Sequence, residues 1–415
     1  MGDFQAAGSA GDSKERAQKY KDVVDAAIDG NDEAKIKDCL TRLLSDEVPQ
    51  AISRNVVSHY ANALSRVNPP SLLEEIGRWS LSALGPHVSS FEDADAALRK
   101  ALFKVLLAQG DYGEAAGMLA GINMETSARA YSEVERAAAY VTVAETYLED
   151  DEAVDAETFV NRASGLMHAV PADDWSLQLR YRVTLARTLD ARRKFLDAAM
   201  RYYELSQASH AAIAVEELLT LLAQAVTCAL LGNAGPRRSR ILGLLSKDER
   251  VGHMEQSDGF AAHAHVLKKM FTGQLVRRPE LAAFEATLMP HQKALQGDGL
   301  SIPERAAIQH NMVAVSNIYE NISLNELGAL LEIEPAKAET VASRMIAEGR
   351  LAAQVDQVSG VLRFSRTSAA LIQWDESITK VCLTVNSCYD RVREATKDAD
   401  AMDAEPPKPR AAMAA

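Results

Sequence analysis

The stretch ISLNELGALLEIEPAKAETVASRMIAEGRLAAQVDQVSGVLRF, residues 322–364, reads as two helices followed by a hairpin. Ser323-Leu324-Asn325-Glu326 is a capping box, in which the serine hydroxyl and the glutamate satisfy the free donors at a helix start. Gly328-Ala329-Leu330-Leu331 continue that helix. Pro335 stands at the first position of the next helix, where a missing N–H costs nothing. From there Ala338, Val341, Ala342, Met345 and Ile346 recur at helical spacing. Gly349 is placed to end the helix. Two extended runs, 351–355 and 361–364, flank Ser359-Gly360 as a hairpin. A helix over 302–322 precedes them, so residues 300–366 are expected to form a winged helix.

Winged helices commonly bind DNA, and the charges decide whether this one does. Residues 302–366 hold six basic side chains (Arg305, Lys337, Arg344, Arg350, Arg363 and Arg366) against eight acidic ones, a net charge of −2. The whole chain of 415 residues carries −13. A DNA reader needs a basic face to neutralise phosphates. No nucleic-acid partner is therefore expected, and the module reads as a protein-contact element. The expected contact is the hairpin edge, Val361, Leu362 and Phe364, because an unpaired strand can extend a neighbour's sheet.

Upstream, three segments align without gaps on an acidic residue. These are Glu114, Asp155 and Asp197, spaced 41 and 42 residues apart. An alanine follows each one: Ala115, Ala156 and Ala198. Leu119, Val160 and Tyr202 stand five residues after the acid, and Leu106, Tyr147 and Leu189 eight before it. A polar turn lies between, so each segment is a helix, a turn and a second helix whose alanine permits close packing. A period near 40 predicts stacked, TPR-like helical hairpins. An irregular helical bundle with chance spacing is the alternative. A fourth copy around Ser239 keeps Leu231 and Leu244 but lacks the alanine. Residues 20–84 read as helical with no fixed register.

Gln296-Gly297-Asp298-Gly299 marks a break between the array, over 14–295, and the winged helix. Beyond the wing, Leu371, Trp374, Ile378, Val381, Val385, Cys388 and Val392 step alternately by three and four residues. That heptad-like stripe predicts a C-terminal helix over 367–397 that either meets a partner or folds back on the array. Residues 1–13 and 398–415 read as disordered, the latter holding Pro406, Pro407 and Pro409 among small residues. The fold class is all-α: a hairpin array, a winged helix and a long C-terminal helix.

The residues offer no catalytic, cofactor or metal constellation. His263-Ala264-His265 comes nearest, since a zinc metalloprotease can use paired histidines with a serine and an aspartate downstream. Gly273 and Val276 occupy those positions here, so the carboxylate ligand is missing. Both histidines read as helix-surface residues. Arg237-Arg238-Ser239-Arg240 reads as a solvated turn, with a contact to an acidic partner as the alternative. His310 and Asn311 read as packing or surface residues. GxGxxG, P-loop and GxSxG patterns are missing from the sequence. No run of 18 apolar residues predicts a membrane span, and the start has no apolar signal core. Cys39, Cys228, Cys382 and Cys388 form no CxxC pair and read as reduced, intracellular thiols.

Helical hairpins running into a winged helix are the layout of PCI domains, the scaffold modules of the proteasome lid, the signalosome and translation initiation factor three. At residue level the chain resembles the signalosome branch of that family. The likeness is carried by Tyr147-Leu148-Glu149-Asp150-Asp151, Phe159-Val160-Asn161-Arg162-Ala163-Ser164 and Arg192-Arg193-Lys194-Phe195. Tyr203-Glu204-Leu205-Ser206, Lys247-Asp248-Glu249-Arg250, Leu288-Met289-Pro290-His291-Gln292-Lys293-Ala294 and the run 326–350 extend it. The N-terminal arm and the tail depart most. The resemblance places the PCI helical part from about residue 185. It implies a non-catalytic scaffold subunit, cytoplasmic and nuclear, with no cofactor. Implied partners are other PCI subunits through the winged helix, and a metalloprotease pair through the C-terminal region. The cullin–RING ligase, from which the complex removes a ubiquitin-like modifier, is implied as the substrate it helps to hold. A proteasome-lid subunit is the alternative within the family. Outside it stand a winged-helix nucleic-acid binder and a stand-alone metalloprotease.

Overall fold

Short helices are marginal in water, so each must bury one face against a neighbour. The computed structural model describes residues 13–45, 48–125, 131–171, 173–208, 214–257, 259–295, 297, 299–365 and 369–403. The chain forms two units, residues 1–311 and 312–415.

The first unit opens with α1 (Ser13–Asp29), α2 (Glu33–Leu43), α3 (Gln50–Ala63) and α4 (Pro70–Leu84). Ile36, Leu40, Val56, Tyr60, Leu64 and Ile76 are wholly buried in their shared core. The Tyr60 hydroxyl lies 2.9 Å from that of Ser80, which satisfies the one polar atom the ring carries inside.

Three helix pairs follow: α5 (Glu92–Gln109) with α6 (Tyr112–Ala120), α7 (Glu133–Glu149) with α8 (Ala153–Leu166), and α9 (Trp175–Ala191) with α10 (Phe195–Ser206). The alignment holds residue by residue. Ala115, Ala156 and Ala198 are wholly buried, and Leu119, Val160 and Tyr202 are buried beside them. A larger side chain at any of the alanines would force the helices apart. The turns repeat as well. Gly110, Asp151 and Arg193 each sit four residues before the acid, with φ of +90°, +57° and +59°. Glycine adopts this left-handed state freely, whereas aspartate and arginine are strained in it. The period is therefore written in backbone conformation as well as in the alanines.

The fourth slot is α11 (Val215–Leu231) with α12 (Pro236–Leu245), a hairpin despite the missing alanine. Its register differs by one residue from the expectation: Leu231 is buried, but Leu244 is exposed and Leu245 takes the inward place. The inward row of α12 is Arg238, Ile241, Leu242 and Leu245. Three further helices follow in this unit: α13 (Arg250–Glu255), α14 (Ala261–Thr272) and α15 (Arg278–Glu285).

Ion pairs between successive hairpins are a feature that the spacing alone does not reveal. Arg78 meets Glu114, and Arg187 meets Glu149 at 2.9 Å. Arg192 and Lys194 share Glu157 at 2.8 and 2.7 Å, and Arg237 meets Asp197. Exposed pairs contribute about 0–1 kcal/mol each. They orient neighbours more than they stabilise them.

Helix α16 (Ile302–Ile318) spans the division between Asn311 and Met312. Its first half is held by the first unit. Gln309 Oε1 accepts from the Ala234 N–H at 3.2 Å, and Asn311 bonds both the N–H and the C=O of Val276 at 2.9 Å. Gln296 and Asp298 lie outside the described residues. Leu295 and Ser301 pair across that loop as an antiparallel bridge.

The helix stops at Ile318 rather than 322 because Asn321–Ser323 form strand β1. Then come α17 (Leu324–Leu331), α18 (Pro335–Ala347), β2 (Ala353–Asp356) and β3 (Val361–Phe364). Ser323 Oγ accepts from the Glu326 N–H at 3.2 Å and donates to its carboxylate at 3.0 Å. Gly328 lets the α17–α18 turn close, since a Cβ there would lie 2.9 Å from the Ile333 carbonyl. The antiparallel sheet has the order β1-β3-β2, with Ile322 and Val355 both opposite Leu362. Helix α19 (Ala369–Asp403) ends the described chain. It runs through 398–403, part of the segment expected to be disordered, because no glycine or proline interrupts it there. Residues 404–415 and 1–12 lie outside the described residues, and Ser13 already belongs to α1.

The turn geometry makes a prediction of opposite signs at equivalent positions. Gly110→Ala should cost about 1 kcal/mol, while Arg193→Gly should gain about 0.5 kcal/mol once glycine's extra unfolded-state entropy is counted. Urea unfolding of the two variants measures both. A destabilised Arg193→Gly would show that the arginine side chain, rather than its backbone, matters there.

Candidate functional site

The apolar stripe of α19 is a long row of exposed apolar side chains. Trp374, Ile378, Val381, Val385 and Val392 are exposed by 44–67%, and Cys388 is exposed as well. The side chain of Leu371 lies outside the described residues. Leu383 and Tyr389 flank the stripe and are equally exposed. Isolated apolar residues on a surface need no explanation, but a contiguous row marks an interaction site. A row stepping by three and four fits knobs-into-holes packing against another helix.

The winged-helix sheet departs from expectation. Strand β3 is bonded on both sides, so Val361, Leu362 and Phe364 present no free edge. Leu362 is wholly buried, Phe364 is buried and Val361 is half-buried. The expected contact through these three residues is corrected: the free edges are those of β1 and β2. Asn321–Ser323 is the cause, being a third strand that the two-strand reading did not contain. At the wing tip Val358 is fully exposed, and the Asp356 carboxylate fixes the turn by accepting from the N–H groups of Val358 and Ser359 at 3.1 and 3.2 Å.

The paired histidines do not converge. His263 is buried between the rings of Phe260 and Phe284, at centroid distances of 6.0 and 5.3 Å. Burial pulls its pKa from 6.5 down to about 4. His265 is exposed and lies 3.4 Å from Glu280. Two residues along a helix point to opposite faces, so the pair makes no metal centre. His263 is thus a core residue and not the surface residue expected. His310 is also buried, its Nε2 2.9 Å from the Gln274 carbonyl oxygen, and burial lowers its pKa to about 4.

The arginine cluster is divided in the same way. Arg237 is exposed, but Arg238 is buried, which corrects its reading as part of a solvated turn. Its guanidinium donates to the carbonyls of Ala229 and Leu230 at 3.2 and 2.8 Å. These are the last carbonyls of α11, which lack helical partners and carry the negative end of its dipole. Burial lowers the arginine's pKa to about 10. The charge is therefore held by a helix terminus rather than by a carboxylate.

Known proteins match this sequence along most of its length. Residues 5–212 match the family described as PSMD12/CSN4, N-terminal, and residues 281–366 match the PCI domain. COP9 signalosome complex subunit 4 of Arabidopsis thaliana is 36% identical over 92% of this chain and 96% of its own length. The Drosophila melanogaster protein of that name is 37% identical over 94% and 93%, and the Dictyostelium discoideum one 34% over 92% and 94%. The chain belongs to the COP9 signalosome subunit 4 family.

Within this member of the subunit 4 family, the segment 288–294 is bonded back to the array. His291 and Gln292 reach back to the buried carboxylate of Asp190 in α9, at 3.3 and 2.8 Å. They fasten the segment before the winged helix to the array. Spacing could not reveal that bond, because its partners lie about a hundred residues apart. No described helix is long and apolar enough to cross a membrane.

Two outcomes follow from the buried cations and histidines. Arg238→Ala should cost about 3 kcal/mol by stranding two helix-end carbonyls and leaving a cavity, whereas Arg237→Ala should cost under about 1 kcal/mol. Urea unfolding separates the two. His263 and His310 are neutral when folded, and the unfolded chain takes up protons first once pH falls below 6.5. Their contribution is whole above 6.5 and is lost between 6.5 and 4, at up to about 1.4 kcal/mol per pH unit for each histidine. His263→Asn should flatten that slope in unfolding free energy measured from pH 7.5 to 4.5. An unchanged slope would place the proton uptake elsewhere.

Proposed function

We propose that the chain is a non-catalytic scaffold subunit of a signalosome. That complex takes a ubiquitin-like modifier off cullins and so regulates cullin–RING ubiquitin ligases. The observation that carries the reading is the exposed stripe of α19, at the end of a chain that resembles signalosome subunit 4 along nearly its whole length. A helix with an uncovered apolar row is suited to assembly and has no evident catalytic use. His263 and His265, pointing apart, agree with a subunit that leaves hydrolysis to another.

On this reading α19 enters a helical bundle with the other subunits, the metalloprotease pair among them. The open edges of β1 and β2 meet neighbouring PCI subunits. The early hairpins, before Leu106, face the cullin–RING ligase. The subunit needs no cofactor, metal, nucleic acid or membrane, and it works in the cytoplasm and nucleus. The shared N-terminal family makes a proteasome-lid subunit the rival placement. Mass spectrometry of what co-purifies with the tagged chain distinguishes the two complexes.

Truncation after Arg366 tests the assembly role. Each large stripe residue offers about 1.5–3 kcal/mol when fully buried, so removing the helix should abolish entry into the co-expressed complex. The melting temperature of the remaining chain should not change. A truncated chain that still assembles but melts earlier would show that α19 packs on its own chain instead.

A further inference from the structure

We propose that the free chain forms an antiparallel dimer, in which the α19 stripe packs against the same stripe of a second copy. Every described side chain from Trp374 to Val392 is exposed, so no described residue of the same chain covers the row. From Leu371 to Val392 the row covers three heptads, about the shortest run that reads as a coiled coil.

The sizes along the row select the covering helix. A two-stranded coil has two alternating seam positions. Ile378, Val385 and Val392 hold one kind, and Trp374, Val381 and Cys388 hold the other. Antiparallel strands place the first kind opposite the second. Turning a copy about the middle of the row sets Trp374 against Val392, Ile378 against Cys388, and Val381 against Val385. Each of these side chains meets the opposite kind, and none is left over. The largest one faces a small one, and Cys388 faces a larger one. Layers that set large against small fill evenly. A parallel pair would instead stack Trp374 on Trp374 and Cys388 on Cys388, leaving one layer overpacked and another with a void.

The flanks of the seam favour a copy over a different helix. Partner choice in coiled coils is written in charges beside the seam, where opposite signs attract the intended strand and like signs reject others. Here one flank holds Asp375, Cys382 and Tyr389, and the other holds Ser377, Thr384 and Arg391. Antiparallel self-pairing joins each flank to itself. Asp375 meets Tyr389, Cys382 meets Cys382, Ser377 meets Arg391 and Thr384 meets Thr384. No like charges oppose each other, and the Asp375 carboxylate is placed to accept from the Tyr389 hydroxyl. The flanks thus carry nothing that rejects a second copy and no charge pattern that demands another strand. The same row cannot hold the copy and another partner at once, so any subunit that captures α19 has to displace the copy. The dimer concerns the free chain and does not rest on its role in a signalosome.

The full chain on its own tests the proposal. Light scattering on a sizing column should give twice the chain mass at high concentration, falling towards the monomer on dilution. Val381→Glu/Val385→Glu would bury carboxylates in the two central layers and should make the chain monomeric at every concentration. Lys380→Glu, on the face away from the row, should leave the dimer intact. Circular dichroism of each variant checks the fold. A short bismaleimide should also join two chains through Cys382, which lies beside its copy at the centre of the pair. Cys39 and Cys228 are buried and do not compete. Cys382→Ser should abolish the cross-link, and Cys388→Ser should leave it. A monomeric native chain, or a dimer that persists in the folded double-glutamate variant, overturns the proposal. A cross-link that needs Cys388 rather than Cys382 means a parallel pair and overturns it too. A chain that is monomeric and still enters the complex sinks the dimer while leaving the assembly role standing.

Discussion

The structure depends on how closely two helices can approach at one small residue. Ala115, Ala156 and Ala198 have no exposed surface, and each allows the backbones of a hairpin to come together where a larger side chain would act as a wedge. Once the hairpin is closed, its outer apolar face is still uncovered, so it must stack on another. The left-handed turn residues Gly110, Asp151 and Arg193 hold the chain reversal at the matching place in each pair. Stacking leaves polar residues at the hairpin rims, and there the ion pairs that link successive hairpins form. Packing thus supplies the energy, and the charges supply the alignment.

Buried polar groups show where the array departs from simple repetition. Arg238 lies in the fourth hairpin, the one that lacks the alanine, and its guanidinium closes the end of α11. In that hairpin the inward row of α12 stands one residue further along the chain, so that Leu245 rather than Leu244 faces the core. Asp190, Gln292 and His291 perform a similar task further on, tying a segment remote in sequence to α9. These are bonds between particular atoms, and each replaces what the repeat would have provided by apolar contact alone.

Much of this was legible in the sequence, and the failures have physical causes. Period, alanine and turn are local, so the hairpins could be read from spacing. Ser323, Pro335 and Gly349 mark helix ends by their own chemistry, so the helices of the winged module could be placed. Strand β1 was missed because three residues, Asn-Ile-Ser, are too few to show alternation, and the helix before them continues their apolar pattern. That omission turned a central strand into a supposed edge. Arg238 and His263 were read as solvated because charge and polarity argue for water. Burial of Arg238 depends on the carbonyls that end the preceding helix, and burial of His263 on the rings of Phe260 and Phe284, neither of which the residue's own polarity reveals. The α19 stripe was visible because heptad spacing is local.

The α19 stripe has a consequence of handedness. Its residues average 3.5 per turn, fewer than the 3.6 of a straight helix. From Leu371 to Val392 the row covers three heptads, over which it drifts about 60° around the helix axis. A flat or straight surface could touch only part of such a row. To stay in register along about 31 Å, the covering element must wind around α19 in a left-handed sense. The row therefore specifies the chirality of what covers it as well as its hydrophobicity, and a rod that can coil meets that requirement where a sheet or a pocket does not.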